Sequence, residues 1–173
     1  DTLILDGELE LLKHSSHKCR HICSIGAFNF PVIPHNEIIL INGGGSFGDV
    51  WPESMAFKMS VISQYPNNKI IFFPQSVHFN DKTGLGKTIS ALQAHGKTIV
   101  CVRDQYSYDL LRSSGFDNTC LTPDIAFFMN LPKELNCSSQ KFELYIPRND
   151  REFKPSPQIE KLISSPGIVI KDW

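Results

Sequence analysis

Short apolar runs separated by amphipathic stretches of helical length limit this chain to a small set of folds. The runs are Glu37–Ile41, Lys69–Phe73, Thr98–Val102, Thr119–Leu121, Phe142–Ile146 and Ile168–Ile170. Each is bounded by turn chemistry, as a parallel strand buried on both faces requires. Between them lie segments 54–64, 83–95, 105–114 and 157–164, which are amphipathic at helical spacing. Gly96 and Gly115 stand where the helices at 83–95 and 105–114 should stop. This alternation predicts βαβ units, and so an α/β fold: an open parallel sheet with helices on both faces. Leu3, Ile4, Leu5, Leu9, Leu11 and Leu12 predict a further helix over 3–14, with Asp1 or Thr2 capping its first turn. Residues 20–25 read as a further strand with a weaker pattern.

At 173 residues the chain is long enough for one domain with a sizeable core. The alternation breaks over 129–141, where polar and turn-forming residues replace the apolar rhythm. The expected organisation is a Rossmann-like domain over 1–130 and a linker-like segment over 131–141. Residues 142–173 then either continue the sheet or open a truncated C-terminal domain. With 17 Lys+Arg against 18 Asp+Glu and no basic stripe, the chain carries no electrostatic footprint for nucleic acid or an anionic membrane. No apolar run approaches the ~20 residues that span a bilayer, so no transmembrane segment is expected. Five cysteines, Cys19, Cys23, Cys101, Cys120 and Cys137, are too few and too scattered for a disulfide framework, and the odd count leaves a thiol free. A reducing, cytoplasmic setting is the expectation, or the Golgi lumen for a eukaryotic source. Because the chain starts at Asp1 rather than Met, it is expected to be a piece of a longer product.

Ligands of open parallel sheets bind beyond the carboxyl ends of the strands, where the βα loops meet. The residues at those positions are Asn42–Asp49, Pro74–Asn80, Arg103 and Asp104 with Ser107, Thr122–Asp124, and Pro147–Arg151. Five successive strands thus end in polar or charged groups, more than helix N-caps alone account for.

Gly43, Gly45 and Gly48 match G-x-G-x-x-G after a strand. Asp49, Trp51 and Pro52 follow, however, where a dinucleotide-binding helix should already run, and the next strand ends Phe-Pro-Gln with no acidic residue for a ribose. What remains is a tight turn needing positive φ, or a cradle of free N–H groups ahead of a helix starting at Pro52. Thr83–Thr88 looks like the end of a P-loop, but Asp81 stands where the first glycine belongs; the segment reads as a helix start with a solvated Lys87. His17, Cys19, His21 and Cys23 alternate as zinc ligands on one face of a strand would, yet nothing completes a site and no metal is expected. His78, beside Gln75 and Ser76, is a candidate for acid/base work, with a satisfied loop histidine the alternative. Arg148 is either a solvated charge or a bidentate clamp for phosphate or carboxylate.

Together NGGGSFGDVWP (42–52), PQSVHF (74–79), VRDQYSYDLL (102–111), PDIAF (123–127) and PRNDRE (147–152) resemble, in this order and spacing, the polysaccharide pyruvyl transferase family. Asp1-Thr-Leu-Ile followed by Gly7 is similar to the tail of that family's N-terminal Asn-x-Gly-Asp segment, and the likeness runs from residue 1 to about residue 153. The resemblance implies one half of a GT-B-like two-domain fold, with the active site in the cleft between the halves. It also implies transfer of a pyruvyl group from phosphoenolpyruvate to a saccharide acceptor as a ketal, in cell-surface or exopolysaccharide biosynthesis and with no further cofactor. Family members run well past this length, and their second half carries additional basic and histidine donor-site residues. The fragment alone is therefore expected to be inactive.

Phosphoenolpyruvate brings a carboxylate and a phosphate, which call for Arg and backbone N–H donors. A general acid protonates C3 while a sugar hydroxyl attacks C2; phosphate then leaves and a second hydroxyl closes the ketal. On this reading Arg148 is the first candidate for the anion clamp. Arg103 is the second, with a salt bridge to Asp104 or Asp124 as its alternative. His78 and Asp1 are candidates for acid/base or acceptor contacts, and Asn42, Gly43, Gly44, Gly45, Gln75 and Ser76 would shape the cleft and hold sugar hydroxyls. Two other functions suit the same rim: a GT-B-like glycosyltransferase using a nucleotide sugar, and a noncatalytic sugar- or anion-binding domain. Phosphoenolpyruvate against UDP-sugar binding discriminates the first, and absence of phosphate release the second.

Overall fold

A computed structural model describes residues 2–130 and 156–163. The chain separates into two units, Asp1–Leu131 and Pro132–Trp173. In the first the elements are α1 (Thr2–Lys13), β1 (Ile38–Ile41), β2 (Gly44–Gly48), α2 (Pro52–Gln64), β3 (Lys69–His78), α3 (Lys82–His95), β4 (Thr98–Val102), α4 (Gln105–Ser113), β5 (Thr119–Leu121) and a 3-10 turn at Ile125–Phe128. In the second, the described part is α5 (Pro157–Ile163). The strands expected at 142–146 and 168–170, and most of the 129–141 linker, lie outside the described residues, as do Asp1 and Arg148.

Every described pairing is parallel, and the strands stand in the order β1-β3-β4-β5, with β2 also on β3. The sheet is thus the α/β arrangement expected from the alternation. Because successive units step across it in one direction, right-handed crossovers put α2, α3 and α4 on one face. The core there joins Ile39, Phe47, Ile70, Phe72, Val77, Val100 and Val102 of the strands to Val61 and Ile62 of α2, Ile89 and Leu92 of α3 and Leu111 of α4. Fully burying such side chains contributes roughly 1.5–3 kcal/mol each. Phe73 points the other way from Phe72, as neighbours on a strand must, and packs with Ile4 of α1 and Ile125. α1 approaches that turn closely because Gly7 has no side chain: a Cβ there would lie 2.1 Å from Ile125 O.

Asp81 caps α3 by accepting from Thr83 N and Gly84 N, and Gly96 ends that helix with a φ of 68°. Lys87 is exposed, as a solvated helix lysine should be. No helix among the described residues is long and apolar enough to cross a membrane.

Three expectations are corrected. Residues 20–25 form no strand; they are exposed, with no neighbouring strand to take their backbone hydrogen bonds, and the chain makes only a 3-10 turn at Ile25–Ala27. The glycine-rich stretch is largely a strand rather than a loop. Ile41 lies opposite Phe72 and Gly44 opposite Gln75, so β2 prolongs β1 along β3 in the same register before a bulge between Gly44 and Phe47. Finally, β3 runs on to His78, past the point where Pro74 should have ended it. An irregularity between Phe72 and Gln75 in the β4 pairing absorbs the missing proline N–H.

Candidate functional site

Hydrogen bonds stitch the carboxyl ends of the strands into one rim. Gln75 is fully buried in β3 and its Nε2 donates to Asn42 O at 2.7 Å and Phe73 O at 2.9 Å, tying the β1–β2 junction to the central strand. Its Oε1 is the buried side-chain acceptor left without a partner among the described residues. Arg103, just after β4, donates its backbone N–H to Gln75 O at 3.0 Å. Its side chain donates Nε–H to Ser76 Oγ at 2.9 Å and Nη1–H to Asp124 Oδ2 at 2.6 Å. Of the two acids open to Arg103 in the sequence, Asp124 is the salt-bridge partner.

Asp124 is itself held, accepting from Ala126 N at 2.9 Å. Asp104 caps α4 through Ser107 N at 2.8 Å, and Ser107 Oγ in turn accepts from Val77 N at 2.7 Å. Burial alone would raise the Asp104 carboxyl. Ser107 N–H, the Ser107 and Ser76 hydroxyls and the Arg103 charge together hold it below the usual aspartate value. Arg103, Ser76, Asp104 and Asp124 therefore form one interlocked group in which the guanidinium is oriented before any ligand arrives.

His78 ends β3, exposed, with Nε2 3.3 Å from Asn80 Oδ1. Beside it Asp49 accepts from Asn80 N (2.6 Å), Asn80 Nδ2 (3.0 Å) and Asp81 N (2.8 Å). These donors outweigh the upward push of burial and keep the Asp49 carboxyl low. Asn42 is exposed, with Nδ2 donating to Gly43 O at 3.2 Å. Gly43 does not offer a free amide, because its N–H donates to Glu8 Oε1 at 2.7 Å. Gly44 and Gly45 lie in and beside the strand pairing rather than in an open cradle.

Sequence reasoning missed Glu8 and Lys58. Both sit in helices where a charged residue ordinarily faces water, yet they are 5% and 3% exposed. Burial raises the Glu8 carboxyl above its usual value of 4.5, with the Gly43 amide pulling the other way. A carboxyl raised on folding contributes stability that is fully present below about pH 4.5 and lost as pH rises through the folded value. Glu8→Gln keeps an acceptor for Gly43 and removes the titration. The melting temperature of the wild type relative to that of the variant should fall as pH rises from about 4.5 through the folded value, which paired thermal scans would measure. Parallel pH profiles would disprove the assignment.

His17, Cys19, His21 and Cys23 are exposed and share no strand, and no group of three or more potential ligands among the described residues could hold a metal. A cavity of about 250 Å³ lined by Phe30, Tyr65 and Asn68 lies near the amino end of β3, away from the rim.

A family model described as polysaccharide pyruvyl transferase matches residues 1–166. "Putative pyruvyl transferase EpsO" of Bacillus subtilis (strain 168) is 34% identical over 102 residues, 57% of this chain and 32% of that protein. "Pyruvyl transferase 1" of Schizosaccharomyces pombe (strain 972 / ATCC 24843) is 40% identical over 101 residues, 56% of this chain and 25% of that protein. The chain therefore spans about a third or less of these two relatives. A crystal structure of a functionally uncharacterised protein from Klebsiella pneumoniae matches with a TM-score of 0.61 at 18% identity, over 84% of this chain and 51% of that one. That likeness bears on the fold alone.

Proposed function

The chain belongs to the polysaccharide pyruvyl transferase family, and from that premise we propose that the whole protein moves a pyruvyl group from phosphoenolpyruvate to saccharide hydroxyls as a ketal. The observation that carries the reading is the Arg103 guanidinium. Ser76 and Asp124 hold it at the carboxyl edge of the sheet, and the rest of its donor fork has no partner among the described residues. A doubly anionic donor suits such a group, because bidentate charge-assisted bonds both grip and orient a carboxylate or phosphate. Orientation of the guanidinium before binding spares the ligand part of the ordering cost.

C3 of the donor must receive a proton. Glu8 is the one carboxyl among the described residues that burial drives toward its protonated form, and with His78 it is the candidate for that acid. Asn42 and Ser76 are the candidates for holding sugar hydroxyls, while the fully buried Gln75 would shape the cleft by tying the β1–β2 junction to β3. Arg148 stays a candidate anion clamp of this reading and lies outside the described residues.

The test is phosphate release from phosphoenolpyruvate by the whole protein over a panel of galactose-, mannose- and glucosamine-type acceptors, with mass spectrometry for the pyruvyl adduct. Acceptor-dependent release with the adduct is expected. Silence across the panel would sink the reading, and release of a nucleotide from UDP-sugar instead would replace it with glycosyl transfer.

A further inference from the structure

The buried amine of Lys58 has no part in that reading. Lysines are almost never fully buried without a paired acid, since an uncompensated charge is costly to desolvate. Lys58 lies in α2 with no salt-bridge partner among the described residues. Asp49, the acid that follows β2, spends its oxygens on Asn80 and Asp81. The ammonium instead donates to Ser46 O at 3.0 Å, Ser46 Oγ at 2.9 Å and Ser54 Oγ at 2.7 Å. Burial pushes the amine down to about 8, so near neutrality most of it still carries its charge.

Ser46 sits where the β2–β3 register slips, between Gly44 and Phe47. A lysine that merely satisfied a carbonyl freed by this bulge would need only the first of those contacts. The hydroxyl contacts have a further consequence. A serine hydroxyl has two acceptor lone pairs and one proton to donate. Ser46 Oγ and Ser54 Oγ each accept from Lys58 and share a hydrogen bond of 3.1 Å, so one of their two hydroxyl protons is spent between them. The other proton of the pair has no acceptor among the described residues. The pair thus presents one outward O–H with an ammonium behind it, and Ser46 is half-buried on the rim between the positions opposite Gln75 and His78.

We propose that Ser46, Ser54 and Lys58 form an anion subsite, in which a phosphate or carboxylate oxygen accepts the outward O–H of the serine pair and supplies the negative charge that Lys58 lacks. The subsite deepens the donor reading above, and rests on it only for the identity of the anion, since phosphoenolpyruvate carries both groups.

The experiment is an NMR titration of the full chain with inorganic phosphate and, separately, phosphoenolpyruvate, on the wild type, Ser46→Ala and Lys58→Met, with melting temperatures for each. Phosphate should shift the Ser46 amide and the Lys58 side-chain signals. Ser46→Ala keeps the carbonyl and Ser54 contacts of Lys58 and should fold, while losing about tenfold or more in phosphate affinity, the worth of a charge-assisted hydrogen bond. Lys58→Met should lose at least as much; where it fails to fold, Ser46→Ala still decides. Wild-type phosphate affinity in Ser46→Ala, or no response at Ser46 and Lys58 to either anion, would overturn the subsite. Phosphate binding that needs Ser46 while phosphoenolpyruvate is ignored would keep the subsite and sink the donor reading. Phosphoenolpyruvate binding that leaves Ser46 and Lys58 untouched would do the reverse.

Discussion

Gly48→Ala should destabilise the protein by about 4 kcal/mol or more, lowering its melting temperature by about 10 °C or leaving it unfolded. Two effects combine at this position. Gly48 has a φ of 141°, where a side chain is strained whatever the space, and a Cβ would lie 1.7 Å from His78 O. Because that atom is backbone of the neighbouring strand, no rotamer change relieves the clash. β2 would have to part from β3, taking the Asp49 N–H to His78 O bond of 3.2 Å with it and freeing the Asp49 contacts that hold Asn80 and Asp81. Gly86→Ala is the control of opposite sign. Gly86 is exposed within α3, a Cβ there meets nothing within 4 Å, and the substitution should stabilise by about 0.4–1 kcal/mol through helix propensity and reduced freedom of the unfolded chain. Thermal melts of the two variants are the measurement, and equal effects from both would refute the close β2–β3 approach.

That approach also explains what the sequence could and could not reveal. The apolar strands β1, β4 and β5 and the amphipathic helices announce themselves through local pattern, because one run of β-branched residues or one apolar stripe suffices to define them. β2 cannot be seen that way. Gly44-Gly-Ser-Phe-Gly48 has almost no strand propensity, and it becomes a strand only because β1 has already set its register against β3. Likewise Pro74 reads as a strand end locally, and only the irregular pairing with β4 lets β3 continue. The placement of Asn42, Gln75, Ser76, His78 and Arg103 toward the carboxyl ends of the strands was legible from the apolar runs that precede them. Glu8 and Lys58 were not, since Glu-Leu-Glu in α1 and Phe-Lys-Met in α2 look like ordinary solvated helix faces. Their burial depends on what packs beside them: the β1–β2 junction for Glu8 and the bulged strand for Lys58.

On the proposed donor, Arg103→Lys in the whole protein should lower kcat/KM for phosphoenolpyruvate by roughly ten- to a hundredfold, the loss of one charge-assisted hydrogen bond of about 1.5–3 kcal/mol. Lysine keeps the charge, but a single ammonium cannot donate to Ser76 and Asp124 in the fixed directions of a planar fork and still present parallel N–H groups to an anion. KM or kcat/KM for the saccharide acceptor should change much less, because the acceptor makes no demand on that fork. Arg103→Ala should cost the donor more and also lower the melting temperature, since Asp124 loses its 2.6 Å partner while partly shielded from water. A purely structural Arg103 predicts a different pattern, in which both variants melt earlier while the surviving folded enzyme keeps its donor kinetics. Donor and acceptor kinetics measured beside melting temperatures therefore separate the two roles. An Arg103→Lys enzyme with wild-type kcat/KM for phosphoenolpyruvate would remove Arg103 from the anion site and leave it as the tie between β3, β4 and the 3-10 turn after β5.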